Sequence, residues 1–312
     1  MHFLRSSANE RTTLFPADQY ALLDFGEGRK LERFGALQLD RPSPAAADVR
    51  RADPQLWSAA TASFVVPNGA AGSLGQRGQW RSVAPLPATW VIAHPPLLLE
   101  LRLTEFGHVG VFPEQVDNWD WIGEQVVRLR DTRTAAAHSL PPRVLNLFAY
   151  TGASTLAAAA TGAEVVHVDA SKSTVSWARR NAELSQLGSA PIRWIVEDAA
   201  RFVTREIKRG SRYQGIILDP PSYGHGPKGD VWQIERDLPA LLENCGTLLS
   251  EDAGFLLVSC HSPGIRAADL RQLLLKRMPR ATPQVIEGSD LVLTSGDGRR
   301  LQSGVSARWM KP

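Results

Sequence analysis

The chain of 312 residues is poor in cysteine, with only Cys245 and Cys260. Two cysteines cannot form the disulfide framework of a small secreted scaffold, and they suit a reducing cytosol. Neither has a second Cys or His at zinc-ligand spacing. His261 adjoins Cys260, but a single such pair is no metal site, so no metal is expected. Long apolar runs are missing too: no stretch approaches the roughly 18 to 20 residues that span a bilayer. The opening MHFLRSSANERTT lacks the apolar core of a secretory signal. These absences lead to the expectation of a cytoplasmic protein with no membrane partner. The GxxxxGK[ST] phosphate loop is also absent.

What is there is an ordinary globular composition, 43% hydrophobic and 21% charged, well away from the low hydrophobicity of disordered chains. Its length suits about two domains. The net charge of +3 is uneven: residues 1 to 135 carry −1 and residues 136 to 312 carry +4. In the second part Arg201, Arg205, Lys208, Arg209 and Arg212 recur at helical spacing. Such a face can neutralise phosphates, although a solvated helix face is the plainer explanation.

The rhythm of the chain changes near Pro142. Before it, turn signals at Gly26-Glu27-Gly28, Phe34-Gly35 and Arg41-Pro42-Ser43-Pro44 separate short strand-like stretches. Leu99, Leu101 and Leu103 alternate with Glu100, Arg102 and Thr104 as in a half-buried strand. A small β-rich domain is expected over residues 1 to 95, followed by a hairpin and a helix over 96 to 135. Trp57, Trp80, Trp90, Trp119 and Trp121 all fall in this part; tryptophans can stack on bases, but more often they supply packing area. After Pro142, apolar runs at 143–149, 163–170, 191–199, 215–220 and 254–260 alternate with helical patterns. That alternation specifies a parallel sheet covered by helices on both faces over 136 to 312. The last stretch has no helix between its strand-like parts and closes the sheet as a hairpin, with an antiparallel edge strand.

Ligands of such sheets bind beyond the carboxyl ends of the strands, so the residues there carry the chemistry. The first strand runs into NLFAYTG, where only Gly152 keeps the small side chain of a dinucleotide loop. Phe148 and Tyr150 would hold a pyrophosphate off the backbone, which argues against a nicotinamide or flavin. Asp169 ends the second strand, where an acidic residue typically accepts ribose hydroxyl hydrogens. Asp198 follows the third and could accept from an adenine amino group. The fourth reads GIILDPPSY, an apolar strand stopped by Asp219 and two rigid prolines.

The set VLNLFAYTGASTLAAA, VDAS, VEDA, LDPPSY and VSC resembles the class I S-adenosylmethionine-dependent methyltransferases, and more narrowly the ribosomal RNA cytosine-C5 methyltransferases of the RlmI type. GHVGVFPEQVDNW resembles the segment that precedes the cofactor loop in that family. The resemblance covers residues 107 to 312 and weakens over 1 to 95. It implies a Rossmann-like seven-stranded sheet, S-adenosyl-L-methionine as cofactor and RNA, in particular ribosomal RNA, as partner. Carried over by residue, Asn146, Phe148, Ala149, Tyr150, Thr151 and Gly152 wrap the methionine part. Asp169 takes the ribose, Asp198 and Ala199 the adenine, and Phe112 and Gln115 flank the cofactor. Ser171 follows at a helix start, where capping is the alternative role. Asp219 and Pro220 sit beside the transferred methyl, and Pro221, Ser222 and Tyr223 meet the target base.

Methyl transfer from a sulfonium is an in-line displacement that depends mainly on alignment. Carbon-5 of cytosine attacks only after a thiolate adds at carbon-6. The resemblance puts Cys260 in that role, with burial in the core as its alternative, whereas Cys245 reads as core. The chain departs from the RlmI pattern in the residues after Pro221 and in His261, which interrupts the usual Ser-Cys-Ser. Two competing readings follow. One is methylation of an exocyclic amine, held by Asp219 and walled by Tyr223. The other is a cofactor-binding RNA adaptor without catalysis, against which the retention of Asp169, Asp198 and Asp219 together argues.

Overall fold

A computed structural model describes residues 15–67, 77–135, 140–225, 231–251, 254–278 and 281–311. Five strands come first: β1 (Tyr20–Gly26), β2 (Arg29–Phe34), β3 (Leu37–Pro42), β4 (Ala62–Val65) and β5 (Gln79–Ser82), which form one sheet in sequence order. The hairpin β6 (Trp90–His94) and β7 (Leu97–Leu101) leads into α1 (Val116–Ala135). The expected strand at Leu99 stops at Leu101. The turn that follows is carried by single backbone bonds, Arg102 N–H to Val109 O and Thr104 N–H to His108 O.

From Arg143 the chain alternates. The elements are β8 (Arg143–Leu147), α2 (Ala153–Ala160), β9 (Glu164–Asp169), α3 (Lys172–Leu184), β10 (Ile192–Val196), α4 (Ala199–Lys208) and β11 (Gly215–Leu218). A small hairpin follows, β12 (Tyr223–His225) with β13 (Val231–Gln233), then α5 (Ile234–Leu248), β14 (Gly254–Cys260) and α6 (Ala267–Arg277). The last pair is β15 (Ile286–Thr294) and β16 (Arg300–Lys311). The main sheet runs β10-β9-β8-β11-β14-β16-β15. Only β16 is reversed, and it lies one place in from the edge, between β14 and β15, rather than at the edge itself. The order turns back at β8, so the ends of β8 and β11 open the crevice where such sheets bind ligands.

β11 and β14 are buried along their whole lengths, as expected for strands covered on both faces. Gly215 is required at the start of β11, because a Cβ there would come within 2.3 Å of the Phe255 ring. A continuous core joins the β-rich part to the main sheet. Leu99 and Leu101 share one apolar cluster with Trp119, Leu156 and Ala182. Polar ties reinforce it: Trp177 Nε1–H donates to Glu100 O at 2.9 Å, and Asn181 Oδ1 accepts from Glu100 N–H at 2.8 Å. At Gly110, with φ 100°, a Cβ would meet the Trp177 indole at 2.3 Å. Glycine is therefore needed both for the left-handed backbone and for the close approach.

Candidate active site

The loop after β8 has an unusual backbone. Phe148 (φ 54°) and Tyr150 (φ 48°) are both left-handed, and Gly152 (φ 92°) closes the loop at the start of α2. Each aromatic residue bears roughly 1–2 kcal/mol of left-handed strain, which persists only where the surroundings fix it. Here Tyr150 N–H donates to Asp169 Oδ2 (2.9 Å), Ala149 N–H to Val168 O (3.1 Å) and Thr151 Oγ1–H to Gly110 O (2.6 Å). The rings form walls. Phe148 lies 5.0 Å from Trp232 and Tyr150 5.4 Å from Phe112, centroid to centroid.

Two expected contact residues lie inside the protein instead. Asn146 is buried, and its Nδ2–H donates to Thr155 Oγ1 (2.9 Å), which in turn faces His167 Nδ1 (2.9 Å). Its side chain braces β8 against α2 and β9 and does not enter the crevice. Thr151 is likewise buried, with its hydroxyl on the Gly110 carbonyl and its own carbonyl accepting from Asn181 Nδ2–H at 2.9 Å. A run of seven letters does not reveal which of its side chains turn inward.

At the end of β9 each oxygen of Asp169 accepts one backbone hydrogen, from Tyr150 and from Ser171, both at 2.9 Å. Burial raises its pKa against the lowering effect of those two bonds. A carboxylate oxygen keeps further lone-pair capacity, so this group can still take a diol. Ser171 caps α3, accepting Thr174 N–H at 3.3 Å, so the capping role expected as the alternative is the one it fills. Asp198 caps α4 through Arg201 N–H at 2.9 Å, and the buried Ala199 opens that helix.

At the end of β11 a polar cluster gathers around Asp219. Ser259 Oγ–H donates to Oδ1 at 2.7 Å and Gln115 Nε2–H to Oδ2 at 3.2 Å, while His261 Nε2 lies 3.5 Å from Oδ1. Gln115 stands on a single 3₁₀ turn, Pro113–Gln115, and its amide also reaches Ser259 Oγ (3.0 Å) and His261 Nε2 (3.1 Å). Burial depresses the His261 imidazole, but Asp219, Glu114 and the Ser303 carbonyl outweigh it and lift the pKa above the ordinary value. The buried Pro220 and exposed Pro221 lead to Ser222, whose Oγ is 2.5 Å from Ser262 Oγ, and to Tyr223, which is 52% exposed. Trp232 on β13 ties this segment down by donating Nε1–H to Pro221 O at 2.7 Å. The sequence reading missed Trp232; its only signal is a tryptophan standing alone after the glycine-rich stretch from 224 to 229.

Cys260 ends β14 beside this cluster but faces inward, 0% exposed, within the apolar core that includes Leu270 and Val305. Burial raises its thiol pKa, with Ser262 N–H on Sγ at 3.3 Å as a partial offset. The basic stripe is partly occupied in internal pairs. Arg205 meets Glu197 and Arg209 meets Glu206. Trp57, Trp119 and Trp121 are buried, Trp80 and Trp90 half-buried, which is a packing role.

Residues 56–255 match the model of the S-adenosylmethionine-dependent methyltransferases. The chain is a member of that family. A SAM-dependent methyltransferase from Agrobacterium tumefaciens superposes with a TM-score of 0.83 at 37% identity, covering 95% of this chain and 92% of that one. Shorter segments resemble ribosomal RNA methyltransferases. Ribosomal RNA large subunit methyltransferase K/L of Hahella chejuensis is 40% identical over 126 residues, and methyltransferase I of Aeromonas hydrophila is 38% identical over 96. Those matches cover 40% and 30% of this chain but only 17% and 24% of the two enzymes. The methyltransferase is thus an enzyme that uses S-adenosyl-L-methionine, and its crevice has the donor chemistry for it: a carboxylate suited to a ribose diol and a loop without phosphate-binding glycines. No helix among the described residues is long and apolar enough to cross a membrane.

Proposed function

We propose that this methyltransferase modifies a base of ribosomal RNA, at a nitrogen that attacks with its own lone pair. The names of the relatives support the RNA, and an RNA of the ribosome implies a cytoplasmic enzyme. The burial of Cys260 carries the choice of atom. A thiol with no exposed surface and a raised pKa is poorly placed to add to a pyrimidine ring, so the acceptor must be nucleophilic without it. A nitrogen lone pair meets that requirement.

In this reading Asp169 holds the ribose, Phe112, Tyr150 and the backbone of the 148–152 loop enclose the methionine part, and Asp198 with Ala199 borders the adenine. When bound, the cofactor supplies an electrophilic methyl on a sulfonium. Asp219 accepts a hydrogen from the target base, with its own orientation fixed by Ser259 and Gln115. Pro221 and Ser222 give the base a stiff floor, and Tyr223, exposed at the rim, supplies an aromatic wall for an unstacked nucleotide.

A second reading, cytosine C5, rests on one observation: the Ser262 N–H directed at Cys260 Sγ would stabilise a thiolate. The experiment uses ribosomal RNA, tritiated S-adenosylmethionine and the wild type beside Cys260→Ala, with digestion of the product to nucleosides. Label on a base nitrogen, retained in the variant, is the expected result. Label in 5-methylcytidine that the variant loses would replace the first reading with the second. No label in RNA would remove the RNA assignment.

A further inference from the structure

We propose that His261 Nε2 accepts the proton that leaves an exocyclic base amine on methylation, working as an imidazole–carboxylate pair with Asp219. The inference rests on the nitrogen-acceptor reading and narrows it to a nitrogen that bears hydrogen.

The starting point is a chain of hydrogen bonds that fixes the tautomer. A guanidinium can only donate. Arg308 donates Nη2–H (2.7 Å) and Nε–H (3.1 Å) to Asn118 Oδ1, so the other end of Asn118 is its amide nitrogen. Asn118 Nδ2–H donates to Gln115 Oε1 at 2.6 Å, which leaves Gln115 with its Nε2 toward Asp219, Ser259 and His261. Gln115 Nε2 has two hydrogens for three acceptors, one of them His261 Nε2 at 3.1 Å, while the Ser303 carbonyl can only accept, so the hydrogen of the neutral imidazole sits on Nδ1, 2.8 Å from Ser303 O. In its neutral form the imidazole carries its lone pair on Nε2, 3.5 Å from Asp219 Oδ1, and 27% of its side chain stays exposed. Phe112 backs the ring, with centroids 5.5 Å apart.

The fold makes room for this ring. Gly304 on β16 lies against it, and a Cβ there would come 2.8 Å from His261 Nδ1 and 2.9 Å from Cys260 O. The charged and titratable groups around the imidazole are Asp219 at 3.5 Å and Glu114 at 3.7 Å, with Lys30, His108 and Cys260 further out. Lys30 is paired with Glu32 at 3.1 Å, and burial holds His108 neutral with a pKa of about 4. The nearest charges are thus two carboxylates, which stabilise an imidazolium.

The step balances as follows. The amine nitrogen forms a bond to the methyl carbon while the carbon–sulfur bond breaks and its electron pair remains on sulfur, giving S-adenosylhomocysteine. The nitrogen then releases one proton to His261 Nε2. The imidazolium, held by Asp219 and Glu114, returns the proton to solvent through its exposed edge.

Single-turnover methylation of ribosomal RNA by wild type, His261→Gln and Gly304→Ala tests this, together with S-adenosylhomocysteine binding and the pH dependence of the rate. Positioned general bases contribute about 10²–10⁴-fold. His261→Gln is expected to lose that factor, to lose the rise of rate with pH expected of the wild type, and to recover rate with added imidazole. Gly304→Ala is expected to slow the reaction by displacing the ring. Both variants are expected to bind S-adenosylhomocysteine within about twofold of wild type, a difference under 1 kcal/mol, which also shows that they are folded. Wild-type label on an exocyclic nitrogen, with a His261→Gln rate and pH profile like wild type, would overturn the role of His261 alone. Label on a carbon or a ring nitrogen would overturn it together with the nitrogen-bearing-hydrogen reading.

Discussion

Acid should weaken this protein through one residue of the strand that carries Asp169. His167 on β9 is fully buried, with Nδ1 against Thr155 Oγ1, no partner for Nε2 among the described residues, and its ring 4.8 Å from that of Trp194. Burial, helped by the nearby Arg179, lowers its pKa from 6.5 to about 3. Below pH 6.5 the unfolded chain takes up a proton that the folded protein refuses, so stability falls as pH falls, down to the folded pKa. Each unit is worth about 1.4 kcal/mol, so by pH 5 the loss is about 2 kcal/mol, a large part of a typical 5–15 kcal/mol. Urea unfolding of wild type and His167→Gln at pH 7 and pH 5 measures it. Glutamine keeps a polar partner for Thr155 but does not titrate. The wild type is expected to lose about 2 kcal/mol more than the variant between the two pH values. A difference within a few tenths would mean that His167 is solvated or protonated in the folded state, and the reasoning from burial would fail.

Further outcomes can be measured. Asp169→Asn must turn an NH2 group toward either the Tyr150 or the Ser171 N–H, both now at 2.9 Å from an acceptor. Losing one charge-assisted bond, at about 1.5–3 kcal/mol, should weaken S-adenosylhomocysteine binding roughly 10- to 100-fold by calorimetry. Gly152→Ala puts a side chain on a left-handed residue, with its Cβ 3.0 Å from that of Ala178. It should cost about 1–2 kcal/mol in urea unfolding, and an unchanged midpoint would show that the loop relaxes freely. His261 has a raised folded pKa, so its contribution to stability is complete below about pH 6.5 and disappears as pH rises through the folded value. The stability gap between wild type and His261→Gln should therefore narrow from pH 6 to pH 9.

Much of the fold was legible because strand and helix periodicities are local. The five apolar runs after Pro142 became β8, β9, β10, β11 and β14, each within a few residues of its expected bounds. Asp169 and Asp219 could be found because they end such runs, where a parallel sheet opens its crevice. Capping by Ser171 was legible for the same reason, since a cap depends on residues three positions apart.

The direction of side chains was not local. Asn146 and Thr151 belong to the same loop as Phe148 and Tyr150, yet they turn inward, because their partners Thr155 and Gly110 come from other elements. Neighbours in a strand face opposite sides, so Cys260 and His261 differ although they are adjacent; which one entered the crevice depended on packing against β16. Gly304 leaves room for His261, while Cys260 closes into the core. The sequence by itself determined the order of the elements, the cofactor class and the acidic residues at the strand ends. Only the tertiary structure decided that an imidazole rather than a thiol stands beside Asp219, because that required contacts between residues more than forty positions apart.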